Sequence, residues 1–532
     1  MDLVLRGARV VDGSGAPSFR ADVGLVGGRI AELARAGEGR LGGRSTLDCD
    51  GLVLAPGFID MHAHSDLALL TDPGHEAKAA QGVTLEVVGQ DGLSYAPVDD
   101  RTLAQVREQI TGWNGDPPGL DWDWRSVGEY LDRLDRGIAV NAAYLVPHGT
   151  VRMLAVGWED RPATAAELRR MRQLVARGLA EGAVGLSSGL TYTPGAYADE
   201  SELTELCRVV ARYGGYHCPH HRSYGAGALA AYAEMVRVAR SSGCALHLAH
   251  ATMNFDVNRG RAPELLALLD AALDDGADIS LDTYPYLPGC TTLAAMLPGW
   301  ATEGGPGATL ARLRDGAVSE RIRRVMEVDG SDGCHGVPID WDTIEISGVA
   351  DPALSRYTGL TVRESAERAG TPPFELARTL LLRDRLGTTI LQHVGHEENV
   401  RTIMRHRVHT GGSDGLLVGA KPHPRAYGTF PRYLGTYVRE LGVLGLEECV
   451  AHLTSRPAAR LRLPDRGLVR PGYRADLVLF DPATVGAGST FAAPRTPPTG
   501  VPHVLVDGCF VMRDGRRTDV LAGRSVRRTP TC

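Results

Sequence analysis

Two histidines, His62 and His64, stand two residues apart at the end of the apolar run Leu52 to Ile59. Along a strand, residues i and i+2 share a face, so both imidazoles can close on one metal ion. Histidines so spaced also make an ordinary polar face, and the pair alone does not decide. Other apolar runs end in the same kind of residue: Asp91, His148, Tyr192, His220-His221-Arg222, His250, Asp282-x-Tyr284 and Asp414. Histidines and carboxylates without clustered thiolates suit Zn²⁺, with Mn²⁺ or Co²⁺ as substitutes, at one or two ions per chain. Such an ion acidifies water and polarises a carbonyl, which is the chemistry of hydrolysis. The remaining need is a proton carrier. Asp414 fits, because in Gly412-Ser413-Asp414-Gly415 the glycines let the backbone approach an ion closely.

Those residues converge only if the elements beneath them do. Strand-like runs are Leu52 to Met61, Val83 to Gly89, Ile138 to Val146, Ala183 to Ser188, Gly215 to Pro219, Ala245 to Ala249, Asp278 to Thr283 and Val408 to Gly412. Helical patterns separate most of them. Thr164-x-x-Glu167 is a capping box, followed by an apolar stripe of Leu168, Met171, Val175 and Leu179 and a stop at Gly182. Eight strands alternating with helices predict an α/β fold, a (β/α)8 TIM-type barrel whose chemistry lies at the C-terminal strand ends. Short strands and tight turns in residues 1–54 and again in 465–532 predict a small β-sandwich domain formed from both chain ends. The barrel then occupies 55–464, with a Gly- and Pro-rich insertion at about 287–348 between the seventh and eighth strands.

Composition narrows the partners. The chain of 532 residues has 43% hydrophobic and 23% charged residues and a net charge of −7, a soluble globular balance that argues against a nucleic-acid surface and for a small substrate. The Met1-Asp2-Leu3-Val4-Leu5-Arg6 start has no secretory pattern and no run is long enough to span a bilayer, so the expected location is cytoplasmic. Nine cysteines without a C-x-x-C pair make neither a disulfide framework nor a zinc ribbon. His75, His335, His452 and His503 fall away from the strand ends and read as surface or packing residues. Only Lys78 and Lys421 could serve as a lysine bridge between metals, and neither stands at a strand end.

The chain resembles the amidohydrolase superfamily, and within it the N-acyl-D-amino-acid deacylases, or D-aminoacylases. The similarity runs through Ala55-Pro56-Gly57-Phe58-Ile59-Asp60-x-His62-x-His64, His148-Gly149-Thr150-x-Arg152, and Gly185-Leu186-Ser187-x-Gly189-Leu190-x-Tyr192-x-Pro194-Gly195. It continues in His220-x-Arg222, Asp282-x-Tyr284-Pro285-Tyr286, Ser413-Asp414-Gly415 and His423-Pro424-Arg425-x-Tyr427-Gly428. The resemblance implies a zinc held tightly by His220 and His250, and a weaker position framed by His62, His64 and Asp414. The residue after strand two joins the two positions. It further implies that Tyr192, Arg222, Tyr284 and Arg425 bind substrate, Arg425 by gripping a carboxylate. The implied reaction is hydrolysis of N-acyl-D-amino acids, or of short peptides, by activated water with Asp414 as acid and base.

Two positions depart from the family pattern. Gln90-Asp91-Gly92 stands where relatives carry Asn-Cys-Gly, so a carboxylate takes the place of a bridging thiolate. Thr252 stands where the family commonly has a substrate-binding lysine, which leaves a D-residue-specific peptidase as an alternative. A hydantoinase-like cyclic-amide hydrolase is the other alternative, with Asp91 in place of the carboxylated lysine that branch uses.

Overall fold

A computed structural model describes residues 1–528; the last four positions of the expected 465–532 segment lie outside the described residues. Eight parallel strands form one sheet: β1 (Phe58–Asp60), β2 (Val83–Val88), β3 (Asn141–Pro147), β4 (Gly185–Gly189), β5 (Tyr216–His220), β6 (Ala245–Leu248), β7 (Ile279–Thr283) and β8 (His409–Gly411). The sheet curls until its first and last strands meet. Met61 N donates to Gly411 O (3.2 Å), Asp414 N donates to His62 O (2.8 Å), and Ala63 bridges Gly415.

Period-two alternation explains both faces of this barrel. Ile59, Leu85, Val87, Ala143 and Leu145 point inward into one small core, while Phe58, Val88, Tyr144 and Val146 point outward under the helices. The helix Ala165–Ala180 forms where its capping box and stripe predict it. Thr164 accepts from Glu167 N, and Met171, Val175 and Leu179 are buried. These helices cover the outer face and leave the strand ends on one rim.

Both ends of the chain meet in a nine-stranded sheet, joined where Val53–Pro56 runs antiparallel to Leu477–Phe480. The predicted run Leu52 to Met61 is therefore two strands, Val53–Pro56 in this sheet and β1 in the barrel. Gly57 marks the change of sheet, since a Cβ there would stand 2.2 Å from the Thr84 side chain. The segment after β7 is larger than the expected 287–348. Its three antiparallel strands are Gly289–Thr292, Ile344–Gly348 and, between them, Thr389–Gln392. The central strand comes last in the chain, so the unit extends to Gln392, with a core of its own around Met296, Trp341, Leu380 and Ile390.

Candidate metal centre

The rim gathers two groups of ligating side chains that share one member. His62, His64, Asp91 and Asp414 form one, and Asp91, His220 and His250 the other, all buried. Each Asp91 oxygen faces one histidine of each group. Oδ1 lies 3.5 Å from His62 Nε2 and 3.6 Å from His250 Nε2, and Oδ2 lies 3.6 Å from both His64 Nε2 and His220 Nδ1. Asp414 Oδ1 is 3.3 Å from His64 Nε2 and 3.8 Å from His62 Nε2. Two donors on one tetrahedral ion with bonds of about 2.1 Å stand about 3.4 Å apart, and these spacings match. The buried His62 Nε2 and Asp91 Oδ1 have no hydrogen-bond partner, as expected of atoms whose partner is an ion. The donors fit one or two divalent ions, with Asp91 between the positions.

The backbone at these ligands is special. Asp91, His250 and Asp414 all take left-handed φ, at 54°, 32° and 47°. Such conformations are costly for non-glycine residues and persist only where surrounding contacts enforce them. Around Asp91 the contacts are visible. Gly92 N donates to Ser187 Oγ (3.1 Å), and a Cβ on Gly92 would come within 2.6 Å of Gly189 N, so the turn presses directly on the end of β4. At Asp414, Asp60 Oδ1 accepts from the backbone of both His62 (3.2 Å) and Ser413 (2.8 Å), which ties β1 to β8.

The ligands are also held from behind. His220 Nε2 bonds Thr191 Oγ1 (2.7 Å) and His250 Nδ1 bonds Tyr224 OH (3.0 Å), leaving His220 Nδ1 and His250 Nε2 facing Asp91. Asp282 Oδ1 accepts from His250 N (3.0 Å), its Oδ2 pairs with His247 (3.1 Å), and it lies 3.8 Å from His62 Nδ1. Beneath β1 and β8, the fully buried Lys78 donates to Asp60 Oδ2 and Ser413 Oγ, each at 2.6 Å. Lys78 thus supports the turn that carries Asp414, while Lys421 pairs with Glu345 in the insertion.

Electrostatics follow from this packing. Burial opposes ionisation of Asp91 and Asp414, but their polar and charged neighbours win. His62 and His220 hold Asp91 well below the ordinary carboxylate range, and Arg425 with His64 does the same for Asp414. Burial likewise opposes charge on His64, yet Asp414 and Asp91 raise it to about 9 when no ion competes for its ring. Burial pushes His220 down and holds His335 to about 3, so the His335 ring is neutral.

The remaining expected residues sort by position. Tyr192 and Tyr284 line the cavity above the ligands, a space of about 660 Å³. Arg425 lies just behind that wall, its guanidinium 4.4 Å over the Tyr284 ring and 2.9 Å from Asp414 Oδ2, with Nε and Nη1 buried and unpartnered. Arg222 reaches a neighbouring cavity. Its nitrogens already meet Glu234 (2.9 Å) and the carbonyls of Ala196 and Ala198, so it braces that turn. His148 stays outside the ligand groups and pairs with Glu202 at 2.8 Å. His75, His452 and His503 are buried packing residues, whereas His335 lines the ligand cavity from the insertion. Sequence reasoning missed Thr191, Tyr224, His247 and Trp113, of which Tyr224 and Trp113 stand away from the strand ends. The inward register of His247 on β6 was the one available signal.

Known proteins are similar to this chain in sequence and fold. A model of the amidohydrolase family matches residues 45–512. An N-acyl-D-glutamate deacylase of Alcaligenes xylosoxydans xylosoxydans is 36% identical over 512 residues, covering 96% of this chain and 93% of that protein. The N-acyl-D-glutamate deacylase of Bordetella bronchiseptica, solved with zinc and a phosphonate mimic of the tetrahedral intermediate, superposes with a TM-score of 0.82 at 32% identity over 99% of both chains. A D-aminoacylase structure described for its binuclear metal centre gives 0.83 at 33% identity, over 99% of this chain and 100% of that one. With a family match across most of its length and the same fold end to end, this chain belongs to the amidohydrolase family.

Proposed function

We propose that this chain hydrolyses the amide bond of N-acyl-D-amino acids, releasing a carboxylate and a D-amino acid, with zinc at the site framed by His62, His64, Asp91, His220, His250 and Asp414. The observation that carries the reading is a shared carboxylate, Asp91, between two histidine pairs, with Asp414 beside them on the same rim. When bound, the ion supplies a water acidified toward neutrality and a Lewis acid for the acyl carbonyl.

The chain's own residues account for the rest. Asp414 takes the proton that the water loses as its oxygen bonds to the acyl carbon, and returns a proton to the departing amine as the C–N bond breaks. Its carboxylate starts ionised because Arg425 stabilises the charge, as a base requires. Arg425 has two further donors without partners, Nε and Nη1, and these suit the α-carboxylate of the substrate. Tyr284 stands between that guanidinium and the cavity, and Tyr192, edge-on to Trp113 and 4.8 Å from the His220 ring, closes the opposite wall. The D-preference is supported by the deacylases to which the chain is similar over its length. A panel of N-acetyl-D- and L-amino acids, assayed on zinc-loaded protein, tests the reading. Turnover confined to D-compounds is expected; preference for L-compounds contradicts it.

A further inference from the structure

The cavity over the ligands has no lysine or arginine in its lining, and this decides which D-amino acids it can hold. Arg425, behind Tyr284, is already shared with Asp414, and the function proposed above assigns its remaining donors to the α-carboxylate. One cation serves one carboxylate. A second carboxylate on the substrate side chain finds Thr252, Asn254, His335 and Gln392, all polar and all neutral, among Phe255 and Met296. Thr252 donates to Asn254 Oδ1 (2.7 Å), which commits the amide oxygen and leaves the amide nitrogen as a donor to a neutral guest.

A second cavity lies against the first and shares Trp113, Thr191, Tyr192 and Ala295 with it. The cation in its lining, Arg222, is already paired. Arg222 is held by Glu234, and the other charged groups on that wall are the carboxylates Glu108 and Asp332. A carboxylate stripped of water without a counter-ion is far costlier than an amide of the same shape, which the neutral polar groups can satisfy.

We propose that this site selects N-acyl-D-amino acids with uncharged side chains, polar amides included, and rejects their acidic isosteres. The inference rests on the function proposed above and narrows its substrate class. It separates this chain from the N-acyl-D-glutamate deacylases that it otherwise resembles.

The test is a pair of isosteres, N-acetyl-D-glutamine and N-acetyl-D-glutamate, assayed with their L-enantiomers on the zinc-loaded full chain. The expected kcat/KM favours glutamine by at least about 100-fold. A ratio below about ten, or preference for glutamate, overturns the pocket assignment while D-selectivity stands. Cleavage of the L-enantiomers with neither D-compound cleaved defeats the proposed function and this inference with it.

Discussion

The two halves of the metal centre are built differently. On β5 and β6, the outer nitrogens of His220 and His250 are already bonded to Thr191 and Tyr224, and Asp282 holds the His250 backbone. On β1 and β8, neither nitrogen of His62 has a hydrogen-bond partner, and Asp414 leans on Arg425. One half is set before an ion arrives; the other is completed by it. Preorganised ligands give up less entropy on binding, and on that ground we propose that the β5 and β6 half is the high-affinity position and the β1 and β8 half the weaker, reactive one. Asp91 belongs to both and couples them.

Substitutions can break that contrast. His220→Asn should remove the high-affinity ion and bring turnover below detection, read by metal content and N-acetyl-D-amino-acid hydrolysis together. Asp414→Asn should retain the high-affinity ion but lower kcat by about 10²–10⁴-fold, the range for a lost acid–base group. Unchanged kcat would remove Asp414 from the mechanism. Lys78→Met leaves Asp60 as an unpaired buried charge under the β1 and β8 half. It should cost about 3–5 kcal/mol in urea unfolding, whereas an exposed ion-pair change such as Arg177→Met should cost about 1 kcal/mol or less.

Smaller effects sharpen the contrast. Tyr224→Phe takes away the outer bond of His250 and should weaken the first zinc by about 10–100-fold, with little change in the affinity of the second. The pH dependence of the second zinc follows from His64. Its folded pKa of about 9 means that the ring carries a proton at pH 7, which an ion must displace. Affinity at the β1 and β8 half should therefore fall as pH drops from about 9 to 7, by up to about tenfold per unit, with proton release on binding measurable in a weakly buffered indicator solution.

How much of this was legible in the sequence depends on the range of the interactions. Period-two apolar runs, most ending in a histidine or carboxylate, predict the barrel and bring the six candidate ligand residues to one rim, because strand alternation is local. The split at Gly57 is not local. It depends on Thr84 in the next strand and on Val53–Pro56 pairing with Leu477–Phe480 from the far end of the chain. The insertion was cut short for the same reason, since Thr389–Gln392 pairs on both sides with strands that precede it. The motif around His220 predicts a substrate role for Arg222, and its pairing with Glu234 on the following helix is visible only in the fold. The position of Lys78 away from a strand end argues against a bridge between metals, and the burial that makes it a support for Asp60 and Ser413 becomes visible only once β1 and β8 close.

The asymmetry between the halves is tested most directly by calorimetric titration of zinc into metal-free His62→Asn and His220→Asn proteins side by side. His62→Asn should keep one high-affinity site and lose only the weaker one, while His220→Asn should lose the high-affinity site. High-affinity binding that survives in His220→Asn and vanishes in His62→Asn would contradict the account.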